Sequence, residues 1–213
     1  MAKTTPFDKY AFQYEDWFER NKFVYESELR AILKAVSCQL STISNGIEIG
    51  VGSGRFAAPL GIKIGVEPSR KMREIAQKRG IEVIDAVAEK LPFNDSRFGF
   101  VLMVTTICFL DDIEAAFKEA CRVLKPRGLF IIGFIDKDSP VGKLYQEHKN
   151  ENVFYKVATF YSANELVFHL KQAGFKNFNF TQTIFHNLPE IRDIEPIKEG
   201  YGEGSFVVVR AIK

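Results

Sequence analysis

An acidic residue and three closely spaced glycines follow a short apolar run in the first quarter of the chain. The sequence there is Glu48-Ile-Gly-Val-Gly-Ser-Gly54, with glycines at alternate positions. Glycine tolerates a positive φ and lets the backbone approach a bound molecule closely. A strand that ends in such a turn and leads into a helix places the turn at the carboxyl edge of a parallel sheet, where open α/β folds bind nucleotides. These residues therefore predict a site for a nucleotide-like ligand.

A second acidic residue ends the next predicted strand. Glu67 follows the apolar stretch 62–66 and precedes Pro68 and Ser69. Because neighbouring parallel strands end at the same edge of a sheet, Glu67 is expected beside the glycine turn. A carboxylate accepts hydrogen bonds from two donors at once, which suits a ligand that carries adjacent hydroxyl groups.

Alternating helices and strands are predicted to hold these residues in place. Apolar residues at helical spacing predict a helix over about 24–40, and a Ser-x-x-Glu capping box formed by Ser162 and Glu165 begins another at 162–173. Further helices are predicted at about 69–79 and 113–124, the latter capped by Asp111 or Asp112. Strands are predicted at about 47–49, 62–66, 81–86, 98–104, 129–135, 178–185 and 205–212.

This order of elements predicts an α/β fold of the Rossmann-like, doubly wound type. Its sheet is expected to be mainly parallel and seven-stranded, with an antiparallel last strand, because no helix separates the final two strands. The length of 213 residues fits a single domain. Within it we expect a helical N-terminal lid at 1–45, a cofactor-binding core at 46–135, and acceptor-side helices with the final strand pair at 136–213.

Composition narrows the classes of function. The 29 basic and 27 acidic residues nearly balance, so charge gives no case for a nucleic-acid partner or for stable membrane association. Three cysteines without a CxxC pair argue against a disulfide framework, and no ligand spacing indicates a metal site. The most apolar run, 98–110, is too short to span a bilayer. We expect a cytoplasmic protein, of an oligomeric state that the sequence does not give.

Taken in order, four motifs resemble those of the class I S-adenosylmethionine-dependent methyltransferases. They are the glycine turn, Glu67 at the end of the second strand, Ala88-Glu-Lys-Leu-Pro-Phe93, and Arg122-Val-Leu-Lys-Pro126 before the fifth strand. The resemblance covers about 47–135, and the last part of the chain looks similar to the small-molecule branch of that family. A nicotinamide-binding enzyme fits less well, because Arg55 stands where its fingerprint requires a third glycine.

The resemblance implies S-adenosylmethionine as cofactor. Glu67 would accept from both ribose hydroxyls, and Glu48 would lie near the ammonium of the methionine end. Val87 stands where relatives usually carry an acidic residue that contacts adenine, which leaves the adenine contact open. The residues expected to bind the cofactor are Tyr14, Glu48, Gly50, Gly52, Gly54, Glu67, Pro68, Ser69, Met72, Ala88, Glu89, Thr105 and Leu110.

The expected reaction is methyl transfer to a nitrogen or oxygen of a small organic acceptor. The alternative is a non-catalytic module or sensor that only binds the cofactor. A base-methylating nucleic-acid enzyme is disfavoured, because 105–108 reads Thr-Thr-Ile-Cys rather than an Asn/Asp-Pro-Pro-Tyr-type turn. His148 is the candidate general base. The residues expected to contact the acceptor are Trp17, Phe18, Thr106, Phe109, Asp136, Phe154 and Tyr161.

Overall fold

A single mixed sheet forms the centre of the molecule. The computed structural model describes residues 3–36 and 45–213. Its strands are β1 (Gly46–Ile49), β2 (Ile64–Val66), β3 (Glu82–Ile84), β4 (Phe98–Val104), β5 (Leu124–Ile135), β6 (Lys176–Thr183), β7 (Lys198–Glu199) and β8 (Phe206–Ile212). In the described ranges these eight strands pair in the order β3-β2-β1-β4-β5-β8-β6-β7.

Strand direction confirms the predicted fold class. Strands β1 to β5 pair in parallel, whereas β8 runs antiparallel between β5 and β6. The difference from the predicted seven strands is the two-residue β7, which pairs with the end of β6. Strand order reverses between β1 and β4, so a crevice opens at their carboxyl ends. In open α/β sheets such a switch point is where ligands bind.

Helices cover both faces of this sheet. They are α1 (Thr5–Lys9), α2 (Ala11–Arg20), α3 (Lys22–Val36), α4 (Ala57–Leu60), α5 (Arg70–Lys78), α6 (Ile113–Val123), α7 (Pro140–Glu147) and α8 (Ala163–Gln172). Along β4, Val101 and Met103 join the core cluster on the α6 and α8 side, and Leu102 joins the cluster on the α3 side. Burial on both faces explains why this strand is continuously apolar.

Helix ends follow the predicted capping residues. Asp112, rather than Asp111, caps α6 by accepting from the backbone N–H groups of Glu114 and Ala115. The capping box of Ser162 and Glu165 is present at the start of α8. Helix α7 was not predicted, although Ser139 caps it and Pro140 occupies its first turn, both common signals of a helix start.

The N-terminal helices are tied to the carboxyl edge of the sheet by charged side chains. Glu15 of α2 pairs with Arg55 at 2.8 Å and also with Arg79. Asp8 of α1 accepts hydrogen bonds from the Ser69 hydroxyl at 2.7 Å and the Lys71 backbone N–H at 3.1 Å. These contacts hold α1 and α2 across the crevice.

Helix α3 starts two residues before the predicted 24–40 helix, and the described part of it ends at Val36; the remainder of that prediction lies outside the described residues. Searched over 3–36 and 45–213, the structure contains no helix with both the length and the apolar character needed to cross a bilayer. The division into lid, cofactor core and acceptor side stays a prediction.

Candidate functional site

The turn after β1 brings bare backbone to the crevice. Gly50 and Gly52 have φ values of 69° and 53°, which side chains rarely adopt. A Cβ on Gly50 would lie 2.3 Å from the Thr106 Cγ2, and one on Gly52 would lie 3.3 Å from the Tyr14 hydroxyl. The turn is therefore closely packed against the end of β4 on one side and against α2 on the other. Gly54 instead packs against Ile81, away from the crevice.

Glu67 stands at the end of β2 with its carboxylate held by two backbone donors. Its Oε2 accepts from the Gly52 N–H at 3.0 Å and its Oε1 accepts from the Ser69 N–H at 2.8 Å. Burial raises the pKa of Glu67 to about 7, against the lowering effect of these two donors. Each oxygen keeps a second lone pair, so the group can still accept from two hydroxyls.

Glu48 lies behind the glycine turn with part of its carboxylate unpaired. Its side chain is 1% exposed, and its Oε2 has no hydrogen-bond partner in the described residues. Burial raises the pKa of Glu48 well above its usual value, the backbone amide of Ala57 opposes the rise, and the charge of Glu67 adds to it. A buried and partly unpaired carboxylate favours a cation nearby.

A cavity at the switch point collects most of the predicted cofactor residues. It is bounded by the glycine turn, the ends of β2 and β4, and the start of the chain. The predicted residues that line it are Tyr14, Gly50, Gly52, Glu67, Pro68, Ala88, Glu89, Thr105 and Leu110. Thr106, predicted for the acceptor, also lines this cavity, as do Lys3, Thr4 and Phe7, which were not predicted.

Four predicted cofactor residues lie outside the lining of this cavity. Met72 is fully buried in the core, and Ser69 caps α5 by accepting from the Met72 N–H at 3.3 Å. Gly54 and Glu48 stand behind the wall, as described above. Val87 lines the cavity where an acidic residue is usual in the family that the sequence resembles, while Asp85 is turned outward and pairs with Arg73 at 2.8 Å.

These features fit S-adenosylmethionine. The paired acceptors of Glu67 match the two hydroxyls of a ribose, and the unpaired oxygen of Glu48 suits the ammonium of an amino acid. Gly52 has no side chain, so a ligand can approach its backbone closely. A side chain at this position would contact Tyr14. Apart from Val87, the described residues that line the cavity fit the cofactor that the motifs imply.

A second cavity of about 490 Å³ adjoins the first. Phe7, Tyr14, Thr105 and Phe109 line both cavities and so form their junction. Of the predicted acceptor residues, Trp17, Phe18, Phe109 and Phe154 line the second cavity. Tyr155, which the sequence also offered as a wall residue, lines this cavity, whereas Glu28, Phe56 and Tyr145 were not predicted.

Glu28 is a charged residue of the second cavity that was not predicted from the sequence. It is 4% exposed, lines the second cavity, and burial raises its pKa to about 8. A signal was present, because Glu28 stands four residues after Val24 and four before Ile32, both of which are buried on the same face of α3. A buried acidic residue with a perturbed pKa that faces a cavity is a candidate for a functional residue.

Thr105, which lies at the junction of the two cavities, has a strained backbone. Its φ of 49° is an outlier for a β-branched residue, and its backbone N–H donates to the Gly133 carbonyl at 2.8 Å. The next residue, Thr106, donates through its hydroxyl to the carbonyl of Gly50 at 3.2 Å. Strained backbone of this kind clusters at functional sites, where the surrounding structure holds it in place.

Three remaining candidates lie outside both linings. The Asp136 carboxylate accepts from the backbone N–H groups of Asp138 at 2.9 Å and Ala163 at 3.2 Å, and so joins β5 to α8. Tyr161 lines a small cavity with Cys108, and this cavity shares Tyr145 and Tyr155 with the second. The His148 side chain is 56% exposed and lies 3.1 Å from Glu151, which borders the second cavity.

Comparisons with known proteins extend over nearly the whole chain. A family described as a methyltransferase domain matches residues 47–132. A crystal structure from Thermotoga maritima, named SAM-dependent methyltransferase, possible histamine N-methyltransferase, is 50% identical, covers 99% of each chain and has a TM-score of 0.93. An uncharacterized protein of Methanocaldococcus jannaschii is 48% identical over 97% of this chain and 98% of its own. A demethylmenaquinone methyltransferase of Chlorobaculum parvum is 30% identical over 65% of this chain and 68% of its own.

Proposed function

The chain belongs to the class I S-adenosylmethionine-dependent methyltransferases, and from that membership we propose that its acceptor is a small organic molecule methylated on nitrogen or oxygen. The observation that carries this proposal is the aromatic cavity of about 490 Å³ that meets the cofactor cavity at Phe7, Tyr14, Thr105 and Phe109. A concave pocket of this size suits a small ligand rather than a folded macromolecule.

In this proposal the residues of the first cavity hold the cofactor by its polar ends. Glu67 accepts from the two ribose hydroxyls, Glu48 stabilises the ammonium group, and the backbone at Gly52 contacts the sugar and the amino-acid end. Val87 and Ala88 border the adenine. When bound, S-adenosylmethionine supplies a methyl group on a cationic sulfur, from which an acceptor lone pair takes it while the C–S electrons return to sulfur.

The second cavity contributes alignment and the exclusion of water. Trp17, Phe18 and Phe154 pack around the acceptor, and the junction residues Tyr14 and Thr105 orient its nucleophile towards the first cavity. Alignment of two reactants in a near-attack geometry can lower a barrier by roughly 7–11 kcal/mol. A neutral amine then needs no strong base, whereas a hydroxyl acceptor benefits from one.

The names of two relatives support an acceptor of this size. The Thermotoga maritima protein is named for histamine and the Chlorobaculum parvum protein for demethylmenaquinone, and neither of these is a protein or a nucleic acid. The proposed division of labour places the lid in 1–45, cofactor binding in 46–135 and much of the acceptor side in 136–213.

Turnover with pooled acceptors tests the proposal. The purified protein is incubated with S-adenosylmethionine and separate pools of amines, phenols, quinols, RNA and denatured protein, and S-adenosylhomocysteine is quantified by mass spectrometry. We expect product with at least one small-molecule pool and a mass increase of one methylene unit in that acceptor. Product with RNA or protein alone would contradict the proposal.

A further inference from the structure

We propose that the acceptor carries a protonated amine whose ammonium group binds the carboxylate of Glu28 as an anchor, while its hydrocarbon part packs on the surrounding aromatic rings and a separate nitrogen or oxygen, which keeps its lone pair, takes the methyl group. This inference rests on the proposed small-molecule acceptor and names its chemical class. It assigns to Glu28 the selection of acceptors by charge, a role that no sequence motif of the chain indicates.

The first support is the isolation of this carboxyl group. Glu28 is 4% exposed and lines the second cavity. No hydrogen bond or ion pair reaches its side chain from the residues in 3–36 and 45–213, and burial alone accounts for its raised pKa. Burying an unpaired carboxyl group destabilises a protein, so its place in this wall calls for a ligand that pairs with it.

The second support is the distribution of other charges around the cavity. Arg20 also lines it, but its guanidinium already pairs with Asp16 at 2.7 Å on the outer side of α2. Glu151, at the border, is an exposed acid beside His148. The lining therefore offers a buried acidic group without a matching free cation, and a cationic ligand completes the pair.

The third support is the ring of aromatic side chains around that acid. Tyr145 and Tyr155 lie with their centroids 4.5 Å apart, and Phe18 stands 5.2 Å from both Tyr14 and Trp17. After burial, the charge of Glu28 is among the causes that raise the pKa values of Tyr14 and Tyr145, which indicates that it acts across the same space. Aromatic faces attract cations, so carboxylate and rings favour the same ligand charge.

A neutral ligand of the same shape would fit the rings but leave the carboxyl group unpaired. Sites built to pair a buried polar group reject analogues that lack the partner. The cavity is therefore expected to discriminate an amine from the alcohol of the same skeleton.

The test measures binding rather than turnover. Parent protein, Glu28→Gln and the matched control Glu26→Gln, on the same helix, are saturated with S-adenosylhomocysteine. A panel of primary alkylamines and arylalkylamines, each paired with the alcohol of the same skeleton, is then titrated by calorimetry and thermal unfolding. In the parent and in Glu26→Gln we expect at least one amine to bind roughly ten- to a hundredfold tighter than its alcohol. In Glu28→Gln that preference disappears, while S-adenosylhomocysteine and the alcohol still bind.

The outcomes separate this inference from the proposed function. Equal binding of amines and alcohols by the parent, or an amine preference that survives in Glu28→Gln, overturns the role of Glu28 and leaves the small-molecule acceptor standing. If S-adenosylhomocysteine binds but neither ligand class does, both proposals fall. Gln keeps the volume of Glu, removes its charge and replaces one acceptor oxygen by a donor, and retained binding of S-adenosylhomocysteine shows that the variant is folded.

Discussion

Buried carboxyl groups concentrate at this site. Glu28, Glu48 and Glu67 all lie in or behind the walls of the two cavities, and burial is the first cause of the raised pKa of each. Elsewhere, arginine or lysine partners lower the pKa of several carboxyl groups, as Arg122 does for Glu119, although burial also raises the pKa of Asp136. Groups with such perturbed pKa values concentrate where ligands bind or react.

Glu67 gives the most direct prediction at this scale. In Glu67→Gln the side chain keeps its size, but one of its acceptors becomes a donor that faces the ribose. We expect the Kd for S-adenosylmethionine to rise roughly ten- to a hundredfold, as for the loss of a hydrogen bond to a charged group. Isothermal titration calorimetry measures it, with Glu82→Gln on exposed β3 as the control. Equal affinities of parent and variant would remove Glu67 from the site.

The same residue predicts a pH dependence of cofactor affinity. Its pKa in the free protein is raised to about 7, so the carboxylate that we propose as acceptor for both hydroxyls is progressively lost as pH falls below that value. Affinity should then fall by up to about tenfold per pH unit below 7 in the parent. In Glu67→Gln this part of the pH dependence should be absent, and an unchanged slope would argue against the assignment.

Residue positions were predictable where they follow from chain order. The glycine turn and Glu67 stand at strand ends, and strand ends of a parallel sheet meet at one edge. Glu28 was missed because its role depends on how α3 packs across the sheet. Met72 was assigned to the cofactor by family resemblance, but helical periodicity after the cap at Ser69 turns its side chain into the core.

At the scale of elements, the turn between β1 and α4 is held by steric contacts as well as by backbone conformation. Gly50 and Gly80 both have positive φ, 69° and 79°, but a Cβ on Gly50 would lie 2.3 Å from Thr106, whereas one on Gly80 would meet nothing within 4 Å. Comparing alanine substitutions at Gly50 and Gly80 therefore separates the free-energy cost of a left-handed alanine backbone from the added cost of displacing Thr106 at the end of β4.

We expect Gly80→Ala to destabilise by about 1 kcal/mol, the cost of a left-handed alanine. Gly50→Ala should destabilise by about 1–3 kcal/mol more, since overpacking adds to the same backbone cost. Denaturant unfolding measures both variants, and calorimetry should show loss of S-adenosylmethionine binding in Gly50→Ala alone. Equal stabilities of the two variants would contradict the packing of Gly50 against Thr106.

Helix α2, part of the predicted lid, depends on its partly buried ion pairs. Burial would raise the pKa of Glu15, but hydrogen bonds from Arg79, Ser53 and Arg55 overcome this and lower it. In Glu15→Gln those arginines lose their charged partner, and α2 should open more often. The sequence predicted a lid here from its aromatic residues but did not reveal this anchor, because Arg55 and Arg79 lie far along the chain.

Hydrogen exchange measures the opening. Amides of 11–20 should exchange roughly tenfold faster in Glu15→Gln, for a loss of about 1.5 kcal/mol. In Asp16→Asn, which removes an exposed pair with Arg20 on the same helix, exchange should change little, because such pairs contribute about 0.3–0.5 kcal/mol. Equal exchange in the two variants would show that Glu15 does not hold the lid.

At the scale of the whole molecule, the reversal of strand order between β1 and β4 fixes where the two cavities meet. The alternation of helices and strands was enough to predict this topology, because connections between parallel strands follow a narrow set of rules. The early start of β5 at Leu124 and the short β7 were not predictable, since both depend on pairing with strands distant in sequence.

The buried acids also give the free protein an unusual stability profile. The pKa of Glu28 is raised from 4.5 to about 8 on folding, so between these values the folded protein holds a proton that the unfolded chain releases. The free energy of unfolding should therefore fall as pH rises through this window, by at most about 1.4 kcal/mol per pH unit for this group.

Urea unfolding of the free protein between about pH 5 and 8 measures this slope. In Glu28→Gln the decline should be shallower than in the parent and the variant more stable at the upper end, because no charge is forced into the cavity wall. Parallel profiles of parent and variant would show that Glu28 ionises normally in the folded protein.

A crystal structure with S-adenosylhomocysteine bound tests the central claim most directly. We expect the ribose hydroxyls on the carboxylate of Glu67, the amino-acid end beside the turn at Gly50 and Gly52, and the sulfur at the junction formed by Tyr14 and Thr105, facing the aromatic cavity. A bound ligand whose ribose makes no contact with Glu67, or whose sulfur faces away from that cavity, would contradict it.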